Sequence, residues 1–461
     1  MTRRTAWRAG RWLPAAAALA LSACATYHAR PLPQGPDLAR SPRLTVPAKS
    51  LRIPGLQAHR FNAAHGLDMT DVVTLAVLNN PDLKAKRLQA GLARAQLLQA
   101  GLLPNPQVSA SFLHPTGGPP PLANGYSLGL TQDLSALISR GAARAGAKAH
   151  KRQVNLDILW QEWQVAQQAR QLFIRARSQA RLLKVLRTQR KLNADNYRRD
   201  QTALQQGNLT LSAVSADLVG LVNADTQLRQ VQRTDNKTWH ALDALLGLKP
   251  GVKPRLRGSV SIAPLAQARF RAAVAELARR RPDLLALRAG YQSQEQAVRE
   301  AILKQFPSLS VGLTQGSDTS KVHTIGFSVS LSLPLFNHNQ GQIAIQRATR
   351  AALRQAYQAR LDQAVNQAHE LWRATRIMHR QLKTLRARLP ELEQTTDAAQ
   401  RSFQQGNMSA GTYINLRSSL LAKRVETIRL QASLHEAQAA LETLLGMPLS
   451  PGAARHRGAA S

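Results

Sequence analysis

Along residues 107–131, and again along 309–335, apolar residues return at every second position. In Gln107-Val108-Ser109-Ala110-Ser111-Phe112 the alternation is with small polar residues, and after a Gly/Pro-rich turn (115–125) Tyr126, Leu128 and Leu130 alternate with Ser127, Gly129 and Thr131. Farther on, Leu309, Val311 and Leu313 are followed by Phe327, Val329, Leu331, Leu333 and Leu335, set against Ser328, Ser330 and Ser332. A period of two predicts strands with one apolar and one small-polar face. Four such strands of about ten residues have the signature of a membrane barrel, with lipid outside and water inside. Two soluble hairpins packed on helices are the alternative that alternation alone leaves open.

Elsewhere the period is that of a helix. A helix is predicted from Met69 to about Gly101, with a kink at Pro81. From Gly141 to Gln206 there is no proline and little glycine, which predicts one helix of about 100 Å at 1.5 Å per residue. Gly207-Asn208 then offers a C-cap and turn, and a returning helix runs to Leu246-Gly247; Gly341 to Gln405, Gly406-Asn407 and Ser409 to Leu445 repeat the pattern. In the last helix Leu430, Leu434, Ala437, Leu441 and Leu444 step by 4 and 3, and Leu421, Val425, Ile428 and Ala432 do so in another register. Two offset heptad seams predict a neighbour on each side, as in the wall of a tube. A single broad stripe facing a closed bundle is the competing arrangement.

These parallels are an internal duplication. Asn80-Pro81-Asp82-Leu83 recurs as Arg281-Pro282-Asp283-Leu284, and Pro106-Gln107-Val108-Ser109-Ala110 as Pro307-Ser308-Leu309-Ser310-Val311, both at an offset of 201. Gln205-Gln206-Gly207-Asn208 returns as Gln404-Gln405-Gly406-Asn407, and Leu245-Leu246-Gly247-Leu248 as Leu444-Leu445-Gly446-Met447, both at 199. The expected organisation is a leader over 1–23, an N-terminal segment over 24–65, one repeat over 66–255, the other over 256–450, and a tail over 451–461. The expected fold class is mainly α with a membrane β portion. Four strands cannot close a barrel in a bilayer, so oligomerisation is required, and three copies supply twelve strands above a helical tube.

The N-terminus adds an address. Arg3, Arg4, Arg8 and Arg11 precede an apolar run from Leu13 to Ala23 that is too short to span a bilayer, and Leu21-Ser22-Ala23-Cys24 follows. This order resembles a bacterial lipoprotein signal, which implies cleavage before Cys24 and a covalent lipid such as palmitate on its thiol. An ordinary secretory signal ending in Ala23-Cys24-Ala25 is the alternative. Cys24 is the only cysteine, so no intrachain disulfide forms. Ala25, standing where an Asp would argue for inner-membrane retention, points to the outer membrane.

The formal charge is +36, and +32 without the leader's four arginines. Such an excess ordinarily suggests nucleic acid, but export, scattered charges, few aromatics and the lack of any zinc-finger or RNA-binding signature argue against it. Anionic lipid head groups, anionic substrates and an acidic medium are the three alternatives for what such a charge meets.

On Leu103-Pro104-Asn105-Pro106-Gln107-Val108, Phe306-Pro307-Ser308-Leu309, the junction Leu333-Pro334-Leu335-Phe336-Asn337-His338-Asn339-Gln340-Gly341 and the two Gln-Gln-Gly-Asn turns, the chain resembles the TolC-type outer-membrane efflux proteins over residues 66–450. The junction looks most like the CzcC/CusC heavy-metal branch. The resemblance implies a homotrimer with a twelve-stranded barrel and a periplasmic helical barrel. It implies a passive exit duct for an inner-membrane RND pump and its periplasmic adaptor, and tip turns at Gly207, Asn208, Gly406 and Asn407. Where many members carry an acidic aperture ring, this chain has Thr412 and Asn415, followed by Arg417. That departure weakens a cation-selective gate, and a duct for drugs or other organic compounds is the alternative within the fold. A lipid-anchored coiled-coil rod without a pore is the alternative outside it.

No catalysis and no cofactor beyond the Cys24 lipid are expected. Gly141-Ala142-Ala143-Arg144-Ala145-Gly146-Ala147-Lys148 lacks the Lys-Ser/Thr pair of a phosphate loop and reads as a helix start. The histidines form no H-x-x-x-H pair, and His338 reads as a turn residue. Trp160, Trp163 and Trp372 read as packing or interface residues. No Ser-His-Asp, paired-carboxylate or Cys-His arrangement has local support.

Overall fold

In the computed structural model the described residues are 27–44, 53, 56, 61–119 and 121–447. Cys24, the leader and the tail lie outside them. Residues 27–38 carry no helix or strand. From residue 39 onward the elements run α1 (Met69–Asn79), α2 (Pro81–Gln99), β1 (Gln107–Leu113), β2 (Gly125–Asp133), α3 (Ser135–Gln205), α4 (Leu211–Leu245), α5 (Gln267–Ala275), α6 (Leu277–Arg280), α7 (Pro282–Leu303), β3 (Ser308–Ser317), β4 (His323–Ser332), α8 (Gln340–Gln404) and α9 (Ala410–Leu444).

Pro81 separates two helices instead of kinking one. Asn80 is extended, and its side-chain oxygen accepts the Leu83 amide at 2.8 Å, while proline at N1 forfeits only an amide that the first turn leaves free. Two other boundaries differ from expectation. Gly141 lies inside α3, which begins at Ser135 because the Asp133 carboxylate accepts both the Ser135 amide (2.8 Å) and its hydroxyl (2.5 Å). Leu333 and Leu335 fall outside β4, since Pro334 has no amide for the ladder and the Leu335 amide turns back to the Leu333 carbonyl at 2.9 Å.

α3 and α8, of 71 and 65 residues, would extend about 107 and 98 Å at 1.5 Å per residue. α8 carries Pro390 within it, where the first repeat has Lys191. The neighbours of these two helices define a ribbon. α3 packs against α2 and α7 along one half and α4 and α9 along the other, while α8 packs against α7 and then α9. α9 therefore has a neighbour on each side, as its two seams predict, with Leu421, Val425, Ala432, Leu434 and Leu441 all buried.

The duplication extends to the cores. In the first repeat Met69, Val72 and Ala76 of α1 pack with Ala169, Phe173, Leu242 and Leu246. In the second, Phe270, Ala273 and Leu277 pack with Ala368, Trp372, Leu441 and Leu445, which are the same positions. The second set is the bulkier: Phe270, Trp372 and Leu277 stand where the first has Met69, Phe173 and Ala76, and Ala273 for Val72 is the one smaller residue. Together with residues 248–265, these packed segments form a belt against one side of the long helices.

All four long-helix ends close alike. Gly207, Gly247, Gly406 and Gly446 have φ of 77, 65, 78 and 65°, and the amide of the residue after each reaches back five residues to a carbonyl at 2.8–3.0 Å. The two belt glycines are also crowded: a Cβ on Gly247 would stand 2.9 Å from the Asn79 carbonyl oxygen, whereas Gly207 has open space. Gly207→Ala is therefore expected to cost only the left-handed penalty of about 1 kcal/mol. Gly247→Ala should cost at least about 1 kcal/mol more, and thermal unfolding of the two variants measures the difference.

Candidate membrane sheet and hairpin tips

The four strands form one antiparallel sheet in the order β1-β2-β3-β4. The β2–β3 pairing, with Leu130 opposite Leu313 and Gly129 opposite Thr314, joins the two repeats. Following the register across all strands sorts the side chains by face. One face holds Val108, Ala110 and Phe112, then Tyr126, Leu128 and Leu130, then Leu309, Val311 and Leu313, then Ile325, Phe327, Val329 and Leu331. The other holds Ser109, Ser111, Ser127, Gly129, Thr131, Ser310, Gly312, Thr314, Gly316, Ser328 and Ser330.

The apolar face is uncovered: Val108 is 78 % exposed, Ile325 83 % and Phe327 69 %. The small face is crowded, since a Cβ on Gly129 would come within 2.5 Å of the Ser109 hydroxyl and one on Gly312 within 2.6 Å of the Ser328 hydroxyl. No helix among the described residues is long and apolar enough to cross a membrane. β1 and β4 each have one unpaired edge.

At the opposite end lie the two hairpin turns. Gly207-Asn208 and Gly406-Asn407 link α3 to α4 and α8 to α9, and the returning helices are capped by equivalent residues. The Thr210 hydroxyl accepts the Ala213 amide at 3.4 Å, and that of Ser409 accepts the Thr412 amide at 3.2 Å. Thr412 and Asn415 are both exposed, one turn apart on α9. Thr412 is also part of its helix cap, its hydroxyl lying 2.9 Å from that of Ser409.

Near these turns the structure assembles residues that periodicity does not reveal. Phe403 of α8 stacks on Tyr413 of α9 with centroids 5.2 Å apart, and the Arg199 guanidinium of α3 sits 5.8 Å from the Phe403 ring, linking the two hairpins. Asp217 of α4 accepts from the Asn196 amide at 2.8 Å and adjoins Asp200. Burial, then the hydrogen bond and charge of Asp200, push the Asp217 carboxyl up to about 6, against the opposing pull of Asn196 and Arg199. The second repeat has Leu416 and Ala399 at the matching positions, so the duplication gives no pointer to this pair.

The remaining candidates are structural. Trp163 and Trp372 are buried, the latter stacked on Phe270 with centroids 4.6 Å apart, and Trp160 lies under the Arg281 guanidinium at 4.9 Å. Arg281 is buried and grips Asp283 at 2.9 and 2.6 Å, and Arg360 of α8 adds a bond of 2.8 Å. Burial alone would raise the Asp283 carboxyl, but the bonds and charges of Arg281 and Arg360 overrule it and hold the group below the usual range. His338 is exposed, its amide donating to the Gln340 side chain at 2.7 Å. Among the described residues no group of three or more His, Cys, Asp or Glu could hold a metal ion.

Comparison with known proteins agrees with this geometry. Residues 273–447 match the family model described as "Outer membrane efflux protein". The solved structures of similar fold include CusC, studied for its folding and transmembrane channel formation. It superposes with a TM-score of 0.67 at 18 % identity, over 90 % of this chain and 99 % of that one. The CmeC outer membrane channel of Campylobacter jejuni gives 0.68 at 17 % over 88 % and 94 %, and the open-state MtrE outer membrane channel of Neisseria gonorrhoeae 0.63 at 16 % over 82 % and 89 %. A search of curated proteins returns no match.

The Asp200–Asp217 pair predicts a pH response of the first hairpin tip. Because the folded-state pKa of Asp217 is raised, its contribution to stability is full below the ordinary carboxylate range and is lost as pH rises through about 6. Amides flanking Gly207 should therefore exchange hydrogen more slowly at pH 5 than at pH 7.5, after correction for intrinsic exchange, while those flanking Gly406 keep one corrected rate. Asp217→Asn should abolish the difference.

Proposed function

We propose that the protein is the outer-membrane exit duct of a tripartite efflux system, a homotrimer that conducts substrates passively from a periplasmic adaptor and an inner-membrane RND pump to the exterior. The observation that carries this reading is the single sheet with one uncovered apolar face and two unpaired edges, set above a ribbon of long helices. In hydrocarbon each unpaired edge must find a partner, so β1 of one copy joins β4 of the next. Three copies make twelve strands, and the ribbon, four helices wide in each half, closes beneath them into a tube.

Supporting the reading are the efflux-protein match over 273–447 and the fold shared with several outer membrane channels. The duct has no reaction to catalyse. The turns at Gly207 and Gly406 face the adaptor at the periplasmic tip, and Cys24 carries a lipid that anchors the chain to the outer membrane. The Pro-Leu-Phe-Asn junction favours heavy-metal cargo, whereas neutral Thr412 and Asn415 offer cations no carboxylate ring, and the pump makes the selection.

Planar-bilayer recording of the purified protein tests the reading. Particles with threefold symmetry in electron micrographs should open channels. Installing Thr412→Asp with Asn415→Asp should raise cation over anion preference severalfold, since six carboxylates would line a narrow, poorly screened aperture. Asp is tolerated in a first helical turn, so the cap should survive. A protein that assembles but never conducts would overturn the duct, and unchanged selectivity would remove these two residues from the aperture.

The anchor has its own test. Mass spectrometry of the mature N-terminus should show acylated Cys24, with the modification lost in Cys24→Ser while the trimer persists. An N-terminus without lipid ends that part of the proposal.

A further inference from the structure

The charge excess has a location. Residues 163–194 of α3 contain eight Lys and Arg and no Asp or Glu, and residues 371–390 of α8 contain six and none. The duplication places them together: Arg177, Arg181, Lys184 and Arg187 match Arg376, Arg380, Lys383 and Arg386 at the offset of 199 that relates the turns. Their neighbours have counter-charges. Arg170 pairs with Glu442, Arg175 with Glu436, Arg190 with Asp225 and Arg388 with Glu391, at 2.6–3.3 Å. Among the described residues none of the eight repeated cations forms an ion pair.

The stripes start directly below the belt and on its side of the helices. Arg177 donates to the Leu256 carbonyl at 3.3 Å, and Arg376 lies 4.9 Å from the ring centre of Trp372, whose indole donates to the Leu265 carbonyl at 3.5 Å. Steps of four and three then keep Arg181 with Lys184, and Arg380 with Lys383, on that side, and all four are exposed. The cations converge across elements. Burial, then the charges of Arg177 and Arg386, make the Arg181 guanidinium easier to deprotonate than usual. Burial and the charges of Arg386 and Arg181 push down the His435 imidazole of α9, against the Gln438 hydrogen bond. Arg187 acts on the Asp235 carboxylate, and the remaining like charges repel one another and project a positive potential outward.

The duct reading decides which way the stripes face, and to that extent the inference rests on it. Twelve helices about 10 Å apart enclose a bore of roughly 28 Å. Three copies of the belt would fill it, so the belt side is the outer wall. Ala180, Thr188, Thr384 and Ala387 beside the cations are small or polar, while Ile377 is exposed and Leu385 and Leu389 line a groove with Arg380. The surface lacks the aromatic anchors that dominate protein–protein binding, and suits a flexible polyanion that exchanges its counterions for fixed cations. Arg177 stands 42 residues beyond the start of α3 at Ser135, about 63 Å along the helix and clear of any bilayer holding the sheet.

We propose that these repeated stripes on α3 and α8 bind the carboxylate-bearing peptide stems of the cell-wall glycan, holding the tube at a fixed height in the wall. Co-sedimentation of the full-length detergent-purified protein with isolated sacculi tests this. Wild type should sediment at 50 mM salt and be released at 300 mM, and should fail to bind sacculi whose stem carboxylates have been amidated. Replacing Arg177, Arg181, Lys184, Arg376, Arg380 and Lys383 with Gln should weaken binding at least tenfold. A control of equal charge, with Arg144, Lys148, Arg229, Lys237, Arg347 and Arg354 replaced by Gln, should stay within twofold of wild type.

Equal loss in both variants, retention on amidated sacculi, or no sedimentation of wild type would each overturn the proposal. So would a stripe variant that keeps sacculi but loses an acidic protein partner. Bilayer conductance of the stripe variant is expected to match wild type. A failure of conductance in wild type would count against the duct while leaving the sedimentation result to be read by itself.

Discussion

A sheet of four antiparallel strands ends in two rows of backbone N–H and C=O groups, and in hydrocarbon no water is available to satisfy them. In the outer-membrane setting proposed for this protein, its larger features answer to that constraint. β1 and β4 are edges, and the face between them is apolar and uncovered. The helices below show the same incompleteness, because a ribbon with α4 and α8 at its margins is a fragment of a wall. In the proposed trimer, association of copies would satisfy both levels at once.

The duplication makes this economical. One unit of helix, strand pair and long hairpin is used twice, and the two belt cores are built from matched positions, the second with the larger side chains. The left-handed glycines close all four helix ends with one hydrogen-bond pattern. Where the copies diverge, the chemistry is individual. Asn80 caps α2 through its side chain, whereas Arg281 at the matching place is buried, grips Asp283 and brings in Arg360 from α8. Asp217 meets Asp200 at one tip only, and Phe403 stacks on Tyr413 at the other.

Charge is distributed with the same logic. The cations of the two acid-free stretches are repeated like the structural glycines. Repetition of exposed, unpaired charge stabilises nothing within one chain, since surface pairs are worth little and like charges oppose compaction. This separates the stripes from Arg170 and Arg175, whose carboxylate partners lie on α9.

Much of this architecture was legible in the residues. The period of two marked the strands, the long proline-free and glycine-poor run marked the first long helix, and Gly-Asn marked the turns, because all of these are preferences acting over a few neighbouring residues. Three boundaries differ where a local detail competes with periodicity: Asn80-Pro81 splits one expected helix into α1 and α2, Asp133 starts α3 ahead of Gly141, and Pro334 ends the ladder before Leu333 and Leu335 can join it. What no local pattern carries is which strands pair between repeats, which side of α3 and α8 the belt covers, and which carboxylates meet. Those were decided by the packing of segments nearly 200 residues apart, where the energy of a contact depends on burial and on partners that adjacent residues do not specify.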